Sequence, residues 1–254
     1  MNNIEVKILN PEVVAESRKM MVCSARLTQR GHNIKNLDDF MNLYNKPNTD
    51  ALVQSMVALP HPTIQKLGVI NLVIVGASRR FLAQITRHQN EVKFVSASLQ
   101  YSDYSGNAEF MVPYEILQQE NMGLDDYLKS CKKSMNEYQE AIKNGLDHDS
   151  AGYLMPQGLR NVLIISATPY QLKHMIKQRT CRRNTSETRY VMLRIWEELY
   201  KLDPVFFGGS GPFCTTGPCQ EGKMCCKRPI PKYYTPGDIL DEDFPLIRGG
   251  KYEG

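Results

Sequence analysis

Residues 78–102, SRRFLAQITRHQNEVKFVSASLQYS, decide how this chain is read. Ser78 is suited to cap a helix, and Phe81, Leu82 and Ile85 form an apolar stripe, so the spacing predicts a helix over 79–89. Gln84 precedes Arg87 by three residues and shares its helical face, with His88 beside them. Residues 92–101 mix β-branched and polar side chains and are expected to be extended. One anionic ligand can draw on both parts. Arginine offers a rigid fork of donors, histidine a tunable donor, and glutamine an amide that reads a ring edge. The same cations would also suit a solvated helix end facing the negative pole of its dipole. Spacing alone leaves both readings open.

Outward from this segment, residues 4–9 alternate as an opening strand, and Pro11 can start a long helix. Residues 32–47 read as polar and irregular, with Asp38 or Asp39 capping a short helix. The β-branched run 67–75 is expected to be a strand ended by Gly76. Leu128, Cys131, Met135, Tyr138 and Ile142 recur at helical intervals within 125–144, and Gly145 is a natural stop. Helices are also predicted over 158–167, from Pro169 to 180, and over 184–202. Strands early and helices later give an α+β class. Beyond Pro204 the chain turns rich in Gly, Pro and Cys. The expected division is therefore a catalytic domain over 1–203 and an irregular Cys-rich appendage over 204–254, packed on the body.

A length of 254 residues suffices for one substantial core. The apolar and charged fractions, 42% and 23%, are those of an ordinary globular protein. A net charge of +4 favours small anions such as nucleotides, and nucleic acid is not the expected partner. No apolar run is long enough to span a membrane, and the N-terminus lacks the pattern of a secretory signal. The expected location is cytoplasmic, where thiols stay reduced.

The run 77–89, ASRRFLAQITRHQ, and the Ser98-Leu99-Gln100-Tyr101 that follows resemble the signature of the flavin-dependent thymidylate synthases. That signature is Arg-His-Arg, seven residues, then Ser in a Ser-x-Arg-Tyr. Here Arg87 and His88 match, Gln89 replaces the second arginine, Ser98 arrives one residue late, and Gln100 replaces the later arginine. The resemblance extends over about 55–200. It implies flavin contacts for Arg87, His88, Gln89 and His174, and nucleotide contacts for Gln84, Ser98, Gln100 and Tyr101. It makes Arg179 the phosphate candidate, with Arg182 and Arg183 as supporting charge. Gly152 stands where the family carries a nucleotide-binding arginine, with Arg160 offered as its substitute, and Thr168-Pro169-Tyr170 replaces a flavin-contacting Asn-x-Arg. His174, Cys181, Glu187 and Arg189 are retained features, while His61 reads as a turn residue.

The resemblance further implies the family's fold, with helices packed on a mostly antiparallel sheet. It implies a homotetramer with sites between subunits, bound FAD, and reductive C5-methylation of dUMP by methylenetetrahydrofolate and NADPH. No base adjoins Ser98, which is assigned to binding, and no side chain is assigned a catalytic role. The lost arginines keep a sister flavoenzyme acting on another pyrimidine nucleotide in view, by methylation or hydroxymethylation. A non-catalytic nucleotide- or nucleic-acid-binding protein is the third reading. No metal is expected in the site. Cys214, Cys219, Cys225 and Cys226 could surround zinc, but their spacing departs from paired knuckles and free thiols are the expectation.

Overall fold

In the computed structural model, which describes residues 4–119 and 123–248, the framework is a four-stranded sheet. Strands β1 (Glu5–Ile8), β2 (Ile70–Ser78), β3 (Val92–Ser96) and β4 (Arg160–Ala167) lie in the order β1-β2-β4-β3. All three pairings are antiparallel. The α+β expectation therefore holds.

Between β1 and β2 run α1 (Glu12–Arg30), α2 (Leu37–Tyr44) and α3 (Asp50–Val57). Helix α4 (Arg79–Ile85) follows β2 directly. After β3 come α5 (Tyr114–Leu117), α6 (Leu124–Lys143) and α7 (His148–Ala151). Beyond β4 lie α8 (Pro169–Arg179), α9 (Ser186–Leu202), α10 (Pro204–Phe207), α11 (Pro236–Asp243) and α12 (Pro245–Arg248). Alternation along β2 and β4 turns Ile70, Leu72, Ile74, Leu163 and Ile165 into the core, where they meet α8 and α9. Helix α9 is the central post. Val191, Met192, Leu193, Ile195 and Trp196 are all essentially inaccessible, so the helix is buried almost all round.

Several local expectations need correction. Where a helix over 158–167 is expected, Arg160–Ala167 form strand β4, because the run Val162–Ile165 finds backbone partners on both sides, in β2 and β3. Gly76 does not end β2. It adopts φ of 92° at a bulge between Val75 and Ala77, and the strand continues to Ser78. Helix α4 stops at Ile85, short of the predicted 89. Asn36, not Asp38 or Asp39, caps α2; its side chain accepts the Asp39 amide at 2.9 Å, and both aspartates sit in the first turn, where carboxylates favour the helix dipole. Helix α3, capped by Thr49, was absent from the sequence reading.

Residues beyond 204 contribute Phe206, Phe207, Ile230, Ile239, Leu240 and Phe244 to the same hydrophobic cluster as the sheet. Among the described residues no helix is long and apolar enough to cross a membrane.

Candidate active site

The site begins with how α4 is held. Ser78 Oγ accepts the Phe81 amide at 3.1 Å, capping the helix. Its own amide and hydroxyl donate to the two carboxylate oxygens of buried Glu187 on α9, each at 2.6 Å. The N-terminus of α4 is thereby fixed against the N-terminus of α9. The chain then leaves the helix, so Arg87 and Gln89 project to solvent while His88 folds inward and is buried.

Arg179, at the C-terminus of α8, organises the centre. It donates Nε–H to His88 Nε2 at 2.9 Å, Nη2–H to the Gln84 carbonyl at 3.2 Å, and Nη1–H to Asn184 Oδ1 at 3.4 Å. His174 meets His88 edge-to-face, with ring centroids 6.2 Å apart. Gln84 Oε1 accepts the hydroxyls of Thr185, at 3.1 Å, and Thr188. Thus Gln84, His88, His174 and Arg179, which the sequence singled out separately, form one cluster.

Its electrostatics disfavour further positive charge. Burial, Arg179 and His174 together lower the His88 pKa to about 4. Burial and Lys177 lower that of His174, and burial and Arg87 lower that of Arg179. An arriving anion would offset the mutual repulsion of these groups and favour their charged forms.

His174 also lines an open cleft of about 400 Å³ with Gln65, Tyr170, Lys173, Lys177 and Ser210. Lys173 Nζ donates to Gln65 Oε1 at 2.9 Å and lies 3.9 Å from the Phe206 ring centroid. Burial drives its pKa down to about 7. Ser210 Oγ is buried with no hydrogen-bond partner. The sequence reading missed Lys173 and Lys177, although their spacing of four along α8 already put two cations on one face.

The remaining predicted residues lie elsewhere. Ser98 Oγ accepts the amides of Gln100 and Tyr101, at 3.0 and 3.3 Å, closing a surface turn. Tyr101 is 84% exposed. Leu99 of that turn lies over Gly152, where an added Cβ would stand 3.5 Å from the Leu99 Cβ. Arg160, on β4 instead of a helix, is ion-paired with Glu109. It lines a second cleft of about 370 Å³ with Ser102, Tyr104 and Asn161. The Asn161 amide is buried there with neither its nitrogen nor its oxygen hydrogen-bonded, a feature with no signature in the sequence. Arg182 is not spare charge: it binds Asp243 and Glu242 and donates to the Arg228 carbonyl. Arg189 also pairs with Asp243, and Arg183 is exposed. His61 occupies the start of a short 3-10 turn. Thr168 caps α8 by accepting the Gln171 amide.

Comparisons with known proteins identify the family and the fold. Residues 12–205 fit the family model described as thymidylate synthase complementing protein. The flavin-dependent thymidylate synthase of Geobacter sulfurreducens is 22% identical over 193 residues, covering 75% of this chain and 82% of that protein. Its counterpart in Thermococcus kodakarensis is 27% identical over 187 residues, covering 69% and 76%. Among solved structures, the UMP/dUMP methylase PolB from Streptomyces cacaoi, bound with 5-Br dUMP, superposes with a TM-score of 0.64 at 18% identity, covering 81% of this chain and 94% of that one. Thymidylate synthase X from Helicobacter pylori, with FAD and dUMP, gives 0.60 at 12% identity, covering 82% and 98%. With its signature segment, its antiparallel sheet and a match spanning most of its length, this chain belongs to the thymidylate synthase complementing protein family, as a divergent member of the flavin-dependent thymidylate synthases.

Proposed function

We propose that this protein catalyses the reductive C5-methylation of dUMP to dTMP, with FAD as cofactor, methylenetetrahydrofolate as carbon donor and NADPH as electron source. The observation that carries this reading is the contact of Arg179 with His88, beside a cationic cleft and within the segment that fits the family model. The cleft suits FAD. Tyr170 offers a flat ring, Lys173 and Lys177 offer charge for a diphosphate, and the unpaired Ser210 hydroxyl lacks a partner that a ligand would supply. Bound FAD contributes the hydride chemistry that no side chain provides. The protein's own part is to bind and orient. Arg179 presents donors to a phosphate, exposed Arg87 lies at the rim, and neutral His88 keeps a polar edge without adding charge.

One observation favours a second reading. Gly152, which lacks the family's arginine, lies against the Ser98–Tyr101 turn, where Gln100 replaces another. Both losses fall on one surface patch, which supports a rebuilt pocket and a sister enzyme acting on UMP or another pyrimidine nucleotide. The two clefts of one chain remain separate, and self-association, as in the homotetramer the resemblance implies, would let the turn of one copy meet the Arg179 cluster of another. The outer sheet face supports such packing, since Val75, Val162, Ile164 and Val95 are between 37% and 64% exposed there.

The test is purification followed by flavin spectroscopy, then tritium release from 5-tritiated dUMP or UMP with methylenetetrahydrofolate and NADPH. Yellow protein and release from dUMP are expected. Release from UMP alone would move the assignment to the sister enzyme. Colourless protein that does not take up added FAD would sink both, leaving the non-catalytic binding protein.

A further inference from the structure

The five cysteines Cys181, Cys214, Cys219, Cys225 and Cys226 line one small cavity of about 30 Å³, although Cys181 lies far from the others in sequence. Two of these sulfurs accept backbone N–H groups. Cys225 Sγ accepts the amide of Lys227 at 3.4 Å, and Cys214 Sγ that of Ile230 at 3.5 Å. Amides directed at sulfur stabilise a thiolate, the form that binds metal. Lys227, in the same turn, adopts φ of 57°, an uncommon conformation for a residue other than Gly or Asn. The thiols of Cys219 and Cys225 also touch each other. Cys226 also lines the cavity, but its S–H donates to the Arg228 carbonyl at 3.6 Å.

The geometry points to a mononuclear, tetrahedral thiolate site for Zn²⁺ built from Cys181, Cys214, Cys219 and Cys225. This set differs from the four tail cysteines that sequence proximity suggested. Cys226 is engaged by the Arg228 carbonyl, and Cys181 takes the fourth place. A cavity of this size holds one ion, not an iron–sulfur cluster. Among the described residues no three candidate ligands are yet drawn together tightly enough to hold an ion, so binding requires the exposed turn carrying Cys219 to close. Each ligating thiol releases its proton to solvent as its sulfur binds, with no change of oxidation state. Since Cys181 lies two residues beyond Arg179, the ion would tie the candidate phosphate clamp to residues 214–225.

The test is metal analysis of the full-length protein purified after expression with zinc, alongside C181S, C219S and C226S. One zinc per chain is expected in the parent and in C226S, with loss in C181S and C219S. Because a variant may misfold, Co²⁺ titration of the zinc-stripped parent provides a second reading. Strong visible bands of tetrahedral thiolate-bound cobalt, displaced by one equivalent of Zn²⁺, are expected. Zinc retained by C181S, iron with acid-labile sulfide in place of zinc, or a parent that binds neither Zn²⁺ nor Co²⁺ would overturn the assignment.

Discussion

Arg179 donates its Nε–H to Nε2 of His88 at 2.9 Å, so that imidazole nitrogen is an acceptor and the ring is neutral, with its proton on Nδ1. The contact joins the C-terminus of α8 to the segment following α4. It places a permanent cation against a histidine that cannot easily become one.

If Arg179 clamps phosphate, Arg179→Ala should weaken dUMP binding by about 1.5–3 kcal/mol, the scale of a charge-assisted hydrogen bond. Titration calorimetry reads the affinity. The same substitution should raise the His88 pKa from about 4, which NMR of the imidazole protons follows. If neither quantity moves, Arg179 is not in the site.

His88 also makes stability depend on pH. Below about 6.5 the unfolded chain binds a proton on this ring, whereas the native ring resists until about 4. The native state should therefore be fully stabilised above that window and lose stability as pH falls through it. Urea unfolding at pH 7 and pH 4.5 should show a smaller difference in His88→Gln than in the parent.

Lys173, with a pKa near 7, should make anion binding in its cleft pH-dependent. Its ammonium population falls as pH rises through that value, so pyrophosphate should bind more weakly at pH 9 than at pH 6. Lys173→Met should flatten the profile. An equally steep profile in the variant would assign the titration to another group.

The Ser78–Glu187 pair should matter for stability. Ser78→Ala removes a helix cap and leaves one buried carboxylate oxygen without its hydroxyl partner, a loss of about 1–3 kcal/mol. Chemical denaturation measures it, and a change below about 0.5 kcal/mol, the scale of a neutral surface substitution, would contradict the assigned role.

Phe244 packs edge-on against Tyr114 and Tyr190, at centroid distances of 5.1 and 5.3 Å. Phe244→Ala should cost about 3–5 kcal/mol, as deletion of a buried ring does. Thermal unfolding of the variant against the parent tests whether the last fifty residues are an accessory or part of the core.

Local chemistry was readable where a residue acts through its own neighbours. Ser78 as cap, Pro169 in the first turn of α8, Gly145 as a stop with φ of 89°, and the stripe along α6 all appear as the sequence implies. The run 160–167 misled because a short apolar stretch fits helix or strand equally well. Only its position between β2 and β3 decides the matter.

The sequence by itself determined the class of the protein and the local elements around its signature segment, because capping, turn geometry and such a segment act over a few residues. The tertiary structure decided which side chains meet. It joined Arg179 to His88 across 91 positions, gave Arg182 to Asp243, brought Cys181 to the tail cysteines, and placed Ser98, Gln100 and Tyr101 on a separate surface turn. Such pairings depend on how helices and strands pack around one core, and spacing along the chain does not encode that distance.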